Sequence, residues 1–129
     1  MKKSLKKWLK FESLKAKRKS QSWSSQKNLP GSKEELYHNQ WWRLKIIDLV
    51  NELMPKSISG KVMDVGAGAG IASAYLTSFN LVKTVYAVDY SKVACDKIIE
   101  TVSNFKKGAP SKLIRVHGSF DDIKEKTLI

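Results

Sequence analysis

The chain has 129 residues, of which 24 are lysine or arginine and 12 are acidic, so its formal net charge is +12 at pH 7. This length accommodates one domain and excludes two of ordinary size. The single cysteine, Cys95, excludes an internal disulfide, and no apolar stretch approaches a membrane span. We therefore expect a cytoplasmic protein, with Cys95 packed as a small apolar side chain.

The positive charge is concentrated at the start of the chain. Residues 1–33 hold 11 basic residues and one acid, whereas the rest of the chain holds 13 basic and 11 acidic residues. We predict a basic extension over residues 1–31, either disordered or amphipathic, and a globular domain over residues 32–129. The extension is expected to prefer an anionic partner, such as RNA or a membrane surface.

A helix is predicted to begin after Ser32, because Ser32 and Glu35 have the spacing of a capping box and follow the helix breakers Pro30 and Gly31. Apolar residues then recur at steps of three or four until Pro55 ends the pattern. Such a stripe predicts a helix that covers an apolar surface. The stripe consists of Leu36, Leu44, Ile47, Val50, Leu53 and Met54, widened by Trp41, Trp42 and Ile46.

Downstream of this helix, short apolar stretches alternate with helical patterns. Strands are predicted at residues 62–66, 84–89 and 112–117, and helices at residues 71–79 and after Ser91. This alternation indicates a parallel sheet with right-handed crossovers and the strand order 3-2-1. The fold class is therefore α/β, a Rossmann-like doubly wound sheet that stops after its third strand and carries an N-terminal helix and basic tail. No zinc-type Cys/His cluster is present, and no metal is predicted.

The sequence DVGAGAG, residues 64–70, joins the first predicted strand to the following helix, as nucleotide-binding loops do. The dinucleotide fingerprint needs glycine or alanine at its sixth position, where this chain has Ile71, and Gly70 comes one place too early. Asp64 would oppose a pyrophosphate and favour an ammonium or sulfonium group, by about 3 kcal/mol at roughly 5 Å and an effective dielectric constant of about 20. Alternatively, Asp64 only accepts hydrogen bonds from loop amides.

A second acid, Asp89, ends the second predicted strand, 23 residues after Gly66. In this topology such a position lies beside the first loop, where a carboxylate accepts hydrogen bonds from both ribose hydroxyls. Tyr90 offers a flat surface for an adenine ring, although packing is the commonest role of a single tyrosine. The pattern therefore favours a nucleoside ligand without a 2′-phosphate.

These motifs resemble those of the class I S-adenosylmethionine-dependent methyltransferases. DVGAGAG is similar to the first motif of that family, VYAVDYS to the second and VHGSFDDI to the third, and the resemblance spans roughly residues 34–122. It implies S-adenosylmethionine as cofactor, with its methionine end in the glycine loop and its adenine beside Tyr90 and Phe120. The cofactor-binding residues it implies are Asp64, Gly66, Ala67, Gly68, Gly70, Asp89, Tyr90, Ser119 and Phe120.

Details at the rim of the implied site remain open. The family often has an acid where this sequence has Ser119, so the adenine amine is expected to contact Ser119 or Asp121. Trp41 or Trp42 either closes over the cofactor or packs the helix onto the sheet. Neither histidine is assigned a catalytic role, and the catalytic residues are not identified.

The methyl acceptor is not identified by the resemblance. In the family, residues after the fourth strand commonly orient the acceptor, and only three strands are predicted here. We therefore expect a methyltransferase that is a fragment or is completed by another chain, acting on a small molecule or RNA. Two other functions remain open: a nicotinamide-dependent oxidoreductase that uses the same loop, and a non-catalytic protein whose basic extension binds RNA or a membrane.

Overall fold

Helices and strands alternate along the part of the chain that this computed structural model describes, residues 29–119 and residue 121. Residues 1–28, which make up most of the predicted extension, lie outside the described residues, as do Phe120 and residues 122–129. The elements in chain order are helix α1 (Lys33–Leu53), strand β1 (Gly60–Val65), helix α2 (Ile71–Thr77), strand β2 (Val82–Asp89), helix α3 (Lys92–Asn104), a 3-10 turn (Pro110–Lys112) and strand β3 (Leu113–His117).

The three described strands form one parallel sheet in the order β1-β2-β3. Asp64 of β1 is level with Ala87 of β2, and Asp89 at the end of β2 is level with His117 of β3. Because the strands are parallel, their carboxyl ends meet at one edge, where ligands bind in α/β sheets. The prediction of an α/β, Rossmann-like arrangement with this strand order is confirmed.

The core lies between the sheet and the helices. α2 packs on β1 and β2, α3 packs on β2 and β3, and α1 packs on α2. One side of α3 is buried, at Ala94, Ile98 and Val102, whereas Val93 of the same helix is 59% exposed. The largest cluster of buried residues consists of Leu36, Leu44, Ala67, Ile71, Ala74, Tyr75, Ala87, Ile98, Val102 and Phe105.

Both helix starts that the sequence predicts from capping residues are present. The Glu35 amide donates to Ser32 Oγ at 3.2 Å, and the Glu35 carboxylate accepts from the Gly31 amide at 3.2 Å. At α3, the Ala94 amide donates to Ser91 Oγ at 3.2 Å. The two serine contacts satisfy amides that the first turn of a helix leaves without an intrahelical acceptor, and the contact to Gly31 completes the capping box.

The stripe predicted for α1 is confirmed only in part. Leu36 and Leu44 are buried, but Leu53 and Met54 are 70% and 56% exposed. α1 has 21 residues and packs on α2, which has seven, so the end of α1 extends past its support. The helix is also interrupted at Gln40, whose φ of −144° and ψ of 57° are not helical. No helix within residues 29–119 is long and apolar enough to cross a membrane.

Candidate functional site

The glycine loop between β1 and α2 folds back onto the end of β2. Its glycines Gly66, Gly68 and Gly70 have φ values of 72°, 59° and 86°, in the region that favours glycine. The amides of Gly66 and Ala67 both donate to the Val88 carbonyl, at 2.8 and 2.9 Å, and the Gly70 amide donates to the Ala67 carbonyl at 3.0 Å. The loop is therefore a closed turn fastened to the neighbouring strand.

Gly70 has a second constraint, because α3 approaches it closely. A Cβ at this position would lie 3.0 to 3.2 Å from three atoms of Ile98. In the dinucleotide fingerprint, the glycine at the sixth position provides this kind of close packing. Here Gly70, at the fifth position, provides it, and the following Ile71 is buried in the core. The early glycine is thus part of a different loop geometry.

Asp89 links the loop to the start of α3. One of its carboxylate oxygens accepts from the Gly68 amide at 2.8 Å, and the other accepts from the Ser91 amide at 2.8 Å. A carboxylate oxygen accepts more than one hydrogen bond, so both retain capacity for hydroxyl donors. The carboxylate is only half-buried and lies where the two loops meet.

Asp64 is the second-last residue of β1 and is 9% exposed. The Ser73 hydroxyl, in the first turn of α2, donates to its carboxylate at 2.7 Å. Burial raises the pKa of Asp64, and the hydrogen bond from Ser73 and the charge of Arg43 oppose that rise. The sequence left open whether Asp64 would bind the ligand or loop amides, and the structure instead pairs it with α2.

Arg43 of α1 also contacts Asp64. Its Nη1 lies 3.8 Å from Asp64 Oδ1 and donates to the Gly66 carbonyl at 3.4 Å. The ring of Trp42 lies 5.5 Å from the guanidinium carbon, and the neighbouring Trp41 is half exposed. Sequence reasoning missed Arg43, since its only local signal is one basic residue beside the tryptophan pair.

The rim of the site holds the remaining predicted residues. Tyr90 follows Asp89 directly and is 78% exposed, and its carbonyl accepts from His117 Nε2 at 2.9 Å. Ser119 is partly buried and Asp121 is exposed, whereas Phe120 lies outside the described residues. The structure therefore brings the glycine loop and Asp89 together at the strand ends and leaves the ring of Tyr90 accessible beside them.

The loop amides limit which ligands fit. The amides of Gly66, Ala67, Gly68 and Gly70 already donate to acceptors within the fold. A pyrophosphate is ordinarily held by such amides, and here it would also meet two carboxylates. The geometry is better suited to a hydroxyl-bearing or cationic group than to a diphosphate.

Cys95 lies near the site, but its surroundings favour packing over nucleophilic chemistry. Burial raises the pKa of the Cys95 thiol, whose sulfur lies 3.6 Å from the Asp89 carbonyl oxygen. A buried thiol of raised pKa packs as an apolar side chain and is a poor nucleophile. Among the residues that the structure describes, no group of three or more His, Cys, Asp or Glu side chains is placed to hold a metal ion.

The fold is similar to the crystal structure of a putative RNA methyltransferase, PH1948, from Pyrococcus horikoshii, with 25% sequence identity and a TM-score of 0.51. The match covers 84% of this chain and 53% of that chain, so the present chain spans about half the length of that protein. No family model matches the sequence, and no curated protein matches it. The comparison supports a methyltransferase-like Rossmann arrangement.

Proposed function

We propose that this chain binds S-adenosylmethionine at the glycine loop and forms the donor-binding part of a methyltransferase. The observation that carries the proposal is the position of Asp89, whose carboxylate bridges the Gly68 and Ser91 amides at the carboxyl end of β2. A nucleoside seated there would donate its ribose hydroxyls to Asp89 and place its base beside the exposed ring of Tyr90. The similarity to a putative methyltransferase supports the same function.

The proposal favours S-adenosylmethionine over a nicotinamide dinucleotide for two reasons. The loop amides are engaged within the fold, so a diphosphate would find few donors. Asp64 lies two residues before the loop and Asp89 contacts it, and among the described residues Arg43 is the cation paired with Asp64, so a sulfonium or ammonium group gains from the local charge. Methyl transfer then needs mainly alignment of the donor with a nucleophilic acceptor.

Thermal unfolding with separate ligands tests this proposal. S-adenosylmethionine at 100 times its dissociation constant is expected to raise the free energy of unfolding by about 2.7 kcal/mol. NAD at the same concentration is expected to leave it unchanged. Stabilisation by NAD and not by S-adenosylmethionine would assign the chain to the oxidoreductase alternative instead.

Asp89→Asn sharpens the test because it keeps the shape of the side chain and removes its charge. We expect S-adenosylmethionine to bind about tenfold more weakly, since hydrogen bonds to a charged acceptor are the stronger ones. Asp96→Asn is the matched control, because Asp96 is an exposed acid on α3. Equal affinities of the two variants, measured by calorimetry, would remove Asp89 from the binding site.

RNA is the acceptor class that we propose, with a small molecule as the alternative outcome. Residues 1–33 carry 11 basic residues, and the similar Pyrococcus protein is described as a putative RNA methyltransferase. Single-stranded RNA is expected to bind the full chain with a steep dependence on salt concentration, because phosphate contacts release counterions. Deletion of residues 1–31 should abolish that binding, and RNA affinity that survives the deletion would contradict this role.

A further inference from the structure

The Arg43 guanidinium lies where a cationic part of a ligand would be expected. It is within hydrogen-bonding distance of the Gly66 carbonyl and 3.8 Å from the carboxylate of Asp64. These two groups are an exposed backbone acceptor and a buried negative charge, a combination that attracts ammonium as well as guanidinium groups. In the described structure the protein's own cation therefore holds this position.

The contacts of Arg43 are longer than the hydrogen bonds that Asp64 and Asp89 accept within the site. Ser73 donates to Asp64 at 2.7 Å and Gly68 donates to Asp89 at 2.8 Å, whereas the Arg43 contacts measure 3.4 and 3.8 Å. The Arg43 side chain is also 29% exposed. This ion pair is long and its Arg43 end is partly exposed, so a ligand cation of better geometry can replace it at the buried Asp64.

The backbone around Arg43 divides α1 into two parts. The segment before the helix is fastened to the end of α3, because Asn104 Nδ2 donates to the Leu29 carbonyl at 2.8 Å and the Lys106 amide donates to the Gly31 carbonyl at 3.0 Å. The interruption at Gln40 separates this fixed start from Arg43. The buried Gln40 Oε1 has no hydrogen-bond partner among the described residues, so the interruption is not held by that oxygen.

We propose that Arg43 is a specificity-determining residue, which competes with the ammonium group of an amino-acid-bearing nucleoside for Asp64 and the Gly66 carbonyl and moves aside when that ligand binds. The inference rests on the proposed function, because the ligand is a donor of the S-adenosylmethionine class. Arg43 should therefore lower the affinity for the amino-acid end of the ligand and leave the affinity for the nucleoside end unchanged.

Calorimetric titration at pH 8 with two ligands isolates this effect. S-adenosylhomocysteine carries the amino-acid end, and 5′-methylthioadenosine has the same nucleoside without it. Arg43→Met is expected to bind S-adenosylhomocysteine about fivefold more tightly than the wild-type chain does, because a competing ion pair is removed. Its affinity for 5′-methylthioadenosine should be unchanged, and Arg43→Lys, which keeps the charge, should behave like the wild type.

Arg115→Met is the matched control. Arg115 Nη1 donates to a backbone carbonyl, that of Cys95, at 3.0 Å and lies 4.0 Å from the Asp96 carboxylate, so it makes the same kinds of contact away from the loop. This variant should change neither affinity. The free energy of unfolding of each variant, measured in parallel, identifies any loss of affinity that comes from unfolding.

Each outcome decides between the two proposals. Unchanged or weaker binding of S-adenosylhomocysteine by a folded Arg43→Met, with normal 5′-methylthioadenosine binding, overturns the role of Arg43 and leaves the proposed function standing. Weaker binding would mean that Arg43 holds the ligand carboxylate. If neither ligand binds the wild type or any variant, the proposed function fails, and the inference about Arg43 fails with it.

Discussion

An acid packs against each end of α2, where it meets a hydroxyl donor and a cation. The two clusters differ in the element that supplies the acid. At the end of α2, Asp48 of α1 accepts from the hydroxyls of Tyr37 and Tyr75, and Lys33 Nζ lies 3.9 Å from its carboxylate. Lys33 also lies over the two aromatic rings, at 5.8 and 5.5 Å from their centroids. This cluster joins α1 to α2 through neutral donors and packed rings.

At the start of α2 the acid belongs to the sheet, and α1 supplies the cation. Asp64 accepts from Ser73, and Arg43 makes a longer contact to it that a competing cation could replace. At Asp48 the cation is Lys33, whose 3.9 Å contact is also long and exposed, whereas the neutral phenols held by ring packing are not exchanged for a ligand charge. The clusters therefore differ in burial and position, because Asp64 is 9% exposed beside the glycine loop, whereas Asp48 is a third exposed.

Gly70→Ala is the largest expected disruption of the start of α2. An alanine there must adopt a φ of 86° and overlap Ile98, which we expect to lower the free energy of unfolding by about 3 kcal/mol. Gly60→Ala is the control, because Gly60 has a φ of 66° but no atom within 4 Å of the added Cβ, and about 1 kcal/mol is expected. Equal losses of unfolding free energy, measured in urea, would show that the contact between residue 70 and Ile98 adds nothing to the cost.

Removing each acid compares the two clusters directly. Asp64→Ala leaves the buried Ser73 hydroxyl without its acceptor, and a loss of about 2 kcal/mol is expected. Asp48→Ala should cost about 1 kcal/mol, because Asp48 is a third exposed and its phenol partners can turn to water. Both values come from denaturant unfolding at pH 7. A larger loss of stability for Asp48→Ala would show that burial does not decide which acid contributes more to stability.

The pH dependence of stability is expected to separate the two ends further. Burial raises the folded-state pKa of Asp64 above its ordinary value of 3.8, so the folded chain binds more protons in that interval. The contribution of Asp64 to stability is therefore full below pH 3.8 and is lost as the pH rises through the folded-state pKa. Relative to Asp64→Asn, the wild type should gain stability as the pH falls, and a difference that does not change with pH would contradict this.

The smallest effect is expected at alkaline pH, from Tyr75. Burial and the neighbouring Asp48 raise the pKa of Tyr75 above its ordinary value of 10.0. The unfolded chain then loses this proton first, so stability should fall as the pH rises above 10. Tyr75→Phe should remove that part of the alkaline decline, measured as the difference between the two unfolding curves.

The parts of the fold that depend on neighbours in sequence could be predicted. Ser32 and Ser91 cap the helices that the capping patterns indicated, and the strands begin and end within two residues of the predicted limits. The glycine loop and Asp89 meet at one edge, as parallel strand order requires. These features follow from local spacing and from the handedness of strand-helix-strand connections.

The rest depends on contacts that no local pattern encodes. Arg43 meets Gly66 across 23 residues, after an interruption at Gln40 that no proline or glycine marks. The buried Asp64 carboxylate accepts its hydrogen bond from Ser73 of the next helix. Leu53 was expected to be covered, but an apolar stripe gives no information about the length of the element beneath it.

The two hydrogen bonds that Asp89 accepts also provide a way to detect nucleoside binding. Its carboxylate holds the Gly68 and Ser91 amides, which belong to two separate loops, at 2.8 Å each. A hydroxyl donor arriving at Asp89 would withdraw electron density from both bonds at once. The two amide resonances should therefore move together in nuclear magnetic resonance spectra when a nucleoside binds, before any methyl acceptor has been found.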